Sequence, residues 1–477
     1  MAASSLMMLS LLLLSISSHH VLAAQPQQPH TINVFSLMSS TACPSAPAAP
    51  DAVSTPSRPG AGSSTLQIVR RDCLQPDHHD KTPSDHYTTV LRRDHYRVRS
   101  IHRRLAGQPS TTTIPARLGL PFNSHEYVVT VGIGTPPQNL TVLFDTGSDL
   151  TWVQCAPCAG GSCHPQEEPL FDRRNSTSYA DIPCGAPECR IGGGQETSCG
   201  GASCAYTAKY GDESQTWGNL AKETVTLSPV VPPAAGVVFG CSQRATGFLG
   251  TMLAGLLGLG RGELSILSQM RRTNGGGGVF NYCLPPRGSS IGYLTIGAAP
   301  QPPSNMMFTP LKTDADPRLS SMYVVDLAGI SVNGAAVAIP DGAFSAGAVV
   351  DSGTVVTHMP AAAYSALRDA FRSNMGSYKM LPEGSVELLD TCYDVTGHDA
   401  VTVPRVALEF GGGARIDVDA SGILFVVGVS GESVACLAFL PTDSAGLVVI
   451  GNMQQRGYNV VFDVGGGRVG FAPNGCS

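Results

Sequence analysis

The chain has 477 residues, enough for two or three domains that each bury their own core. With 42% hydrophobic but only 14% charged residues, and with 54 Gly and 35 Pro, it is a poor candidate for helical bundles and a good one for a β-rich, turn-rich fold. The net charge of −6 is uneven: residues 1–114 hold 10 basic and 6 acidic side chains, leaving 20 and 30 for the rest, and so acidic a body speaks against nucleic acid as its ligand.

In chain order, Leu6–Ile16 is an apolar core too short to span a bilayer, and Val21-Leu22-Ala23 offers a small-residue cleavage site. A signal peptide over 1–23 is expected, hence a secreted or vacuolar protein. An organellar transit peptide is the lesser reading, because no Arg precedes Arg58. No later stretch is apolar for long enough to cross a membrane, so no membrane anchor is expected.

Residues 24 to about 65, rich in Ala, Pro, Ser and Gln, read as disordered. The chain then becomes charged, and LRRDHYRVRSIHRRLAG has the composition of a basic helix. Eight of the 12 His also precede residue 115. A basic leader (24–114) before an acidic body points to an intramolecular partner, since opposite fields attract. TTTIPARLGLPF reads as an exposed linker and a processing region.

Beyond it, EYVVTVGIGTPPQNLTVLFDTGSDLTWVQC reads as a hairpin of two β-branched runs. Further strands are expected at Cys204–Lys209, Glu223–Leu227, Val237–Phe239, Met322–Val332, Ala348–Val350 and Tyr458–Phe462, with helices only at Leu264–Arg272 and Ala361–Ser373. The body also repeats. One apolar strand ends in LFDTGS and a later one in VVDSGT, and each half later carries an apolar pair before Gly, at Leu256-Leu257-Gly258 and Val449-Ile450-Gly451. Two similar halves, each built around one Asp, imply two lobes (115–300 and 301–477) with a cleft between them.

Asp145 and Asp351 each close a buried-looking strand, which drives them into tight turns. Gly147 and Gly353 let those turns approach one another, while Thr146, Ser148, Ser352 and Thr354 place hydroxyls one and three residues after each Asp. Two carboxylates held together share a proton. One can act as general base on a water while the other polarises a carbonyl and protonates the leaving amine. That chemistry calls for no cofactor or metal, and no zinc-peptidase HExxH pattern is present. The single GxSxG match, Gly288–Gly292, precedes a strand-like YLTIG where a nucleophile elbow needs a helix.

Fourteen Cys behind a signal peptide point to disulfides. Two fall in the leader. The body holds Cys155, Cys158, Cys163, Cys184, Cys189, Cys199, Cys204, Cys241, Cys283, Cys392, Cys436 and Cys476, and Cys155-x-x-Cys158 is read as part of this framework rather than half of a zinc site. Asn139 and Asn175 open N-x-[ST] sequons, with Asn175 in the more open, polar setting.

From residue 120 to the end the chain resembles the pepsin-like aspartic peptidases, in particular their plant nepenthesin-like branch. The resemblance is carried by GIGTPPQNLTVLFDTGSDLTWVQC, KYGDESQTWGNLAKETVTL, GLLGLGRGELSILSQ, VVDSGTVVTHMP and VIGNMQQRGYNVVFDVGGGRVGFAP, in that order. It implies an all-β, bilobal pepsin-like fold with a central cleft and few short helices, in a monomer that cuts extended polypeptides and is silenced by its own propeptide. Asp145 and Asp351 would be the catalytic pair; aspartic peptidases are the standard example of such a proton-sharing pair. Thr146 and Ser352 would link the two loops, with Ser148 and Thr354 on the outer carboxylate oxygens. Tyr210 would be the flap tyrosine and Trp152 its support. The implied bridges are Cys155–Cys158, Cys163–Cys241, Cys184–Cys204, Cys189–Cys199, Cys283–Cys476 and Cys392–Cys436. One departure concerns the flap, where Glu213 takes the place of the second glycine of YGDGS and Trp217 follows. A second class of function shares this architecture: pepsin-fold binding proteins that have lost catalysis and inhibit carbohydrate-degrading enzymes.

Overall fold

The computed structural model describes residues 30–33, 64–70, 83–106 and 126–476, apart from short stretches at 159–160, 192–194, 200, 212, 228–232, 248–251, 275–277, 287–291, 298–301, 430–431 and 444–445. The signal segment and the processing linker lie outside the described residues.

The first hairpin forms as its sequence dictates. Tyr127–Ile133 and Gln138–Asp145 pair antiparallel, with Val129 opposite Val142, across the Gly134–Pro137 turn. Nearly every residue of both runs is buried, which explains why they are apolar throughout rather than alternating. This hairpin lies in a 15-stranded sheet that runs from Met307–Pro310, through the C-terminal strands Arg468–Ala472 and Asn459–Asp463, to Gln195–Cys199 in the first half. The second half adds a five-stranded sheet containing Gly347–Val350 and two four-stranded sheets. One core cluster runs through both halves, with Phe280 of the first stacked on Phe462 of the second at 4.5 Å between ring centres.

A strand is present at each expected position: Cys204–Lys209 matches to the residue, Ala348–Val350 gains Gly347, and Tyr458–Phe462 shifts to Asn459–Asp463. Glu223–Leu227 lies within Gln215–Thr226 apart from its last residue, and Val237–Phe239 lies inside Ala234–Thr246. Met322–Val332 divides into Val324–Val325 and Leu327–Val332. Tyr293–Ile296 of YLTIG lie on the strand Gly292–Ile296, where a nucleophile elbow would need a helix. The helices occupy Ile266–Asn274 and Ala361–Arg372; the latter buries Ala363, Tyr364, Leu367 and Phe371 along one face.

The leader is more ordered than its composition suggests. Within the stretch read as disordered, His30–Asn33 pairs with Ala400–Val403. Ser64–Arg70 enters the large sheet between Gly292–Ile296 and the start of Tyr127–Ile133. The basic segment forms a longer helix than its motif marked, Pro83–Ala106. Backbone pairing accounts for the two strands: His30–Asn33 satisfies open donors and acceptors along one body strand, and Ser64–Arg70 those of two.

All twelve described cysteines are bridged. The Cys283–Cys476 and Cys392–Cys436 bridges are as expected. The other four expected pairings are replaced by Cys155–Cys241, Cys158–Cys163, Cys184–Cys199 and Cys189–Cys204. The reason is strand register. Ala234–Thr246 runs parallel to Trp152–Gln154, and the Cys155 amide donates to Ser242 O at 2.7 Å, which sets Cys155 beside Cys241 and leaves Cys158 to Cys163. Cys199 and Cys204 lie opposite one another on a hairpin, so each reaches a different loop cysteine. Among the described residues no helix is long and apolar enough to cross a membrane.

Candidate active site

Two strands deliver the two aspartates to one point. Gln138–Asp145 pairs parallel with Gly255–Gly258, placing Asp145 opposite Gly258. Gly347–Val350 pairs parallel with Leu447–Ile450, and the Asp351 amide donates to Ile450 O at 3.1 Å. The apolar-apolar-glycine repeat is thus the partner strand of each aspartate strand. Both carboxyl groups are fully buried.

The two turns bind each other reciprocally. The Thr146 amide donates to Ser352 Oγ at 3.0 Å, and the Ser352 amide to Thr146 Oγ1 at 2.9 Å. Each hydroxyl then donates across to the other strand, Thr146 Oγ1 to Val350 O (3.1 Å) and Ser352 Oγ to Phe144 O (3.3 Å). Each carboxylate has the same shell. Asp145 accepts from Gly147 N at 2.9 Å and Ser148 Oγ at 2.5 Å; Asp351 accepts from Gly353 N at 3.0 Å and Thr354 Oγ1 at 2.6 Å. The two glycines are needed for close approach: a Cβ on Gly147 would lie 2.7 Å from Asp351 Oδ1, and one on Gly353 2.5 Å from Asp145 Oδ1.

Sequence reasoning marked the leader as an intramolecular partner but not the residue that makes the contact. Arg97 reaches both carboxylates, its Nη2 lying 2.5 Å from Asp145 Oδ1 and 3.0 Å from Asp351 Oδ1, with Nε 2.8 Å from Asp351 Oδ2. Three residues earlier, Asp94 accepts from the amides of Val355 and Val356. Val90 and Leu91 pack with Val355, Val356 and Met453, while Val98 and Ile101 pack with Met322, Val349 and Val449. The signal was present: apolar residues at 90, 91, 98 and 101 mark one helical face, and Asp94 and Arg97 sit in its middle.

Electrostatics separate the two carboxyls. Burial raises Asp145, against the pull of the Arg97 charge. Burial also pushes Asp351 upward, but the charge and hydrogen bonds of Arg97, with Thr354 Oγ1 and the Gly353 amide, hold it below the usual carboxylate value. Arg97 itself, although buried, is held well above its ordinary value by the two aspartates.

Tyr210 lines the same cavity as Arg97, Asp94, Glu126 and Leu143, and packs with the fully buried Trp152 in one cluster. A Cβ on Gly211 would fall 2.4 Å from the Arg97 backbone, so the turn that follows Tyr210 lies directly on the leader helix. Glu213 has φ +67°, the left-handed backbone that a glycine adopts freely, and Arg244 lies 4.7 Å over the Trp217 ring. Asn139 and Asn175 are both exposed. No group of His, Cys, Asp or Glu among the described residues is arranged to hold a metal.

A pepsin-like fold with paired D-[ST]-G turns defines the class, and the comparisons fix the family. Residues 127–298 match the family described as xylanase inhibitor N-terminal, and 322–473 the one described as xylanase inhibitor C-terminal. An Arabidopsis thaliana aspartyl protease family protein is 41% identical over 467 residues, 94% of this chain and 93% of the relative. Aspartic proteinase nepenthesin-2 of Nepenthes gracilis is 33% identical over 399 residues, 81% of this chain and 85% of the relative. The solved basic 7S globulin of soybean shares the fold, with a TM-score of 0.59 at 18% identity over 87% of this chain and 97% of that one. The chain belongs to the pepsin-fold aspartyl protease family and, like the relatives named as aspartic proteases, is a hydrolase of the aspartic endopeptidase type.

Proposed function

We propose that this protein hydrolyses peptide bonds in extended polypeptides with Asp145 and Asp351 as its catalytic pair, at acid pH, and that it is made as a zymogen with residues 24–114 as propeptide. The observation that carries the reading is the matched shell of the two carboxylates, cross-linked through Thr146 and Ser352. A water between the carboxylates would be deprotonated by the ionised aspartate as it attacks the scissile carbonyl. The protonated partner would hydrogen-bond the carbonyl oxygen and then supply the leaving amine's proton. Ser148 and Thr354 fix the outer oxygens, so neither carboxyl has to reorganise during the reaction. Tyr210 would close over substrate with Trp152 behind it.

In the structure Arg97 lies where that water and the scissile bond would go, which supports the zymogen reading. Six bridges suit an oxidising compartment, extracellular or vacuolar, and a monomer is the expected state. The match to xylanase inhibitor families motivates a second reading, a silent binding protein; the intact carboxylate shell argues for catalysis.

The test is cleavage of denatured globin from about pH 2.5 to 7.5 by full-length protein folded first and then processed. Acid-peaked activity is expected, reduced at least about 10²–10⁴-fold in Asp145→Asn and in Asp351→Asn. Folded, processed wild type that is inactive at every pH, yet blocks a polysaccharide hydrolase, would establish the binding protein instead.

A further inference from the structure

The two aspartate turns are held differently from the interior. Gly255–Gly258 and Leu447–Ile450 run beside the two aspartate strands, and in the first half the ladder continues one step, the Leu259 amide donating to Asp145 O at 2.8 Å. The repeat puts Asn452, after Val449-Ile450-Gly451, where Leu259 stands, but its amide turns to Thr354 O at 2.7 Å. No backbone amide among the described residues reaches Asp351 O. A side chain does. Gln455, fully buried, donates from Nε2 to Asp351 O at 3.3 Å, with Ile450 O at 2.9 Å and Gly451 O at 3.2 Å sharing the same NH2. Its Oε1 accepts from the Tyr282 hydroxyl, which fixes the way the amide faces.

We propose that Gln455 is a positioning residue for Asp351, with Tyr282 setting its amide. This rests on the peptidase reading above. The Asp351 carbonyl and the Ser352 N–H belong to one rigid peptide plane. The Ser352 N–H donates to Thr146 Oγ1 at 2.9 Å, so Gln455 and Thr146 hold opposite ends of that plane. Released at its carbonyl end, the plane can tilt about the Thr146 contact, and the Asp351 Cα, one of its corners, moves with it. Tyr282 also touches the first half: its ring lies edge-on to that of Phe144, next to Asp145, at 5.5 Å between centres. Burial and the Asp351 charge push the Tyr282 hydroxyl well above its ordinary value, so it remains a donor at any working pH. One buried tyrosine–glutamine pair therefore backs both aspartates without touching a carboxylate.

The test uses full-length protein processed after folding, as wild type, Gln455→Met and Gln455→Glu. Methionine keeps the length and removes the amide. It should lower kcat on a peptide substrate at least about tenfold with KM within about twofold, because the lost contact orients Asp351 and not the substrate. A glutamate protonated in acid keeps one donor and the acceptor for Tyr282. Gln455→Glu should therefore stay within about threefold of wild type near the acid optimum, its ratio to wild type falling toward that of Gln455→Met as rising pH ionises the carboxyl. Binding of a synthetic 83–106 segment at pH 7, read by fluorescence anisotropy, is independent of turnover. Arg97 meets Asp351 through two nitrogens, so a displaced carboxylate should raise the dissociation constant at least about tenfold in Gln455→Met. Wild-type kcat and segment affinity in folded Gln455→Met overturn the proposal. If Gln455→Met does not fold, a Gln455→Glu whose ratio to wild type is constant with pH overturns it instead. Wild type that cleaves nothing, beside a Gln455→Met that still loses the segment, would uphold the positioning and sink the peptidase.

Discussion

At the scale of single residues, the hydroxyl of Thr146 carries more than its size suggests. It accepts from the Ser352 amide and donates to Val350 O, both buried. Thr146→Val keeps the shape and removes both bonds, leaving a buried N–H and a buried carbonyl without partners. A loss of about 2–6 kcal/mol in urea unfolding is expected, from roughly 1–3 kcal/mol for each of the two orphaned groups, and activity should fall with the loosened pair. Glu213 is different. Its left-handed backbone costs a side-chain-bearing residue about 1–2 kcal/mol, but a glycine there would lose roughly 0.5–1 kcal/mol through greater freedom when unfolded. The two nearly cancel, so Glu213→Gly should leave the thermal midpoint within a few degrees of wild type. Any change in cleavage would then report the missing carboxylate, because the backbone already adopts the glycine conformation.

At the scale of elements, the leader helix explains both its own hold and its release. Its four buried apolar side chains, at roughly 1.5–3 kcal/mol each, give the helix a grip that does not depend on charge. Three imidazoles at this contact titrate below their free value of about 6.5. Burial pushes His102 down to about 4 and the body's His358 down to about 3. His95, also lowered by burial, faces Arg99 on its own helix and Asp443 on the body, and its ring lies 6.3 Å from that of His358. Docking therefore keeps these groups neutral. It is at full strength above about pH 6.5 and weakens as pH falls toward 4, while Asp351, held low, keeps its contact with Arg97 through that window. Asp94 runs the other way, since burial raises its carboxyl and acid favours its docked form. The expectation is that the imidazoles prevail. The inhibition constant of a synthetic 83–106 segment on processed protein should rise at least about tenfold from pH 7 to 4.5, which needs one unit of net shift. A constant that does not move with pH would exclude acid release.

For the whole molecule, Cys283–Cys476 closes the longest loop, 193 residues, and ties the C-terminus to the first half. Replacing both cysteines by Ser should lower the denaturation midpoint by the equivalent of about 2–5 kcal/mol. What the sequence disclosed follows the same division of scale. The aspartates, their glycines and their hydroxyls were legible because the chemistry is written in two contiguous motifs, and the hairpin was legible because β-branched runs flank a proline turn. Four cysteine pairings were not, since Cys155, Cys158 and Cys163 compete within one loop and only the parallel strand carrying Cys241 decides between them. Arg97 was hidden among six arginines between 92 and 104, where only helical phase relative to Val98 and Ile101 distinguishes it.

The leader strand Ser64–Arg70 has body strands on both sides, Gly292–Ile296 along one edge and Tyr127-Val128 along the other. Severing the chain between 107 and 125 would therefore break a covalent bond without opening the ladder. Nicking and liberation become separate events, and the excised piece can persist as a light chain of a two-chain particle. Such a particle would migrate as one species on a native column and as two bands after denaturation, with the proteolytic machinery intact but shut. Dilution or acid, rather than further cutting, would then switch it on.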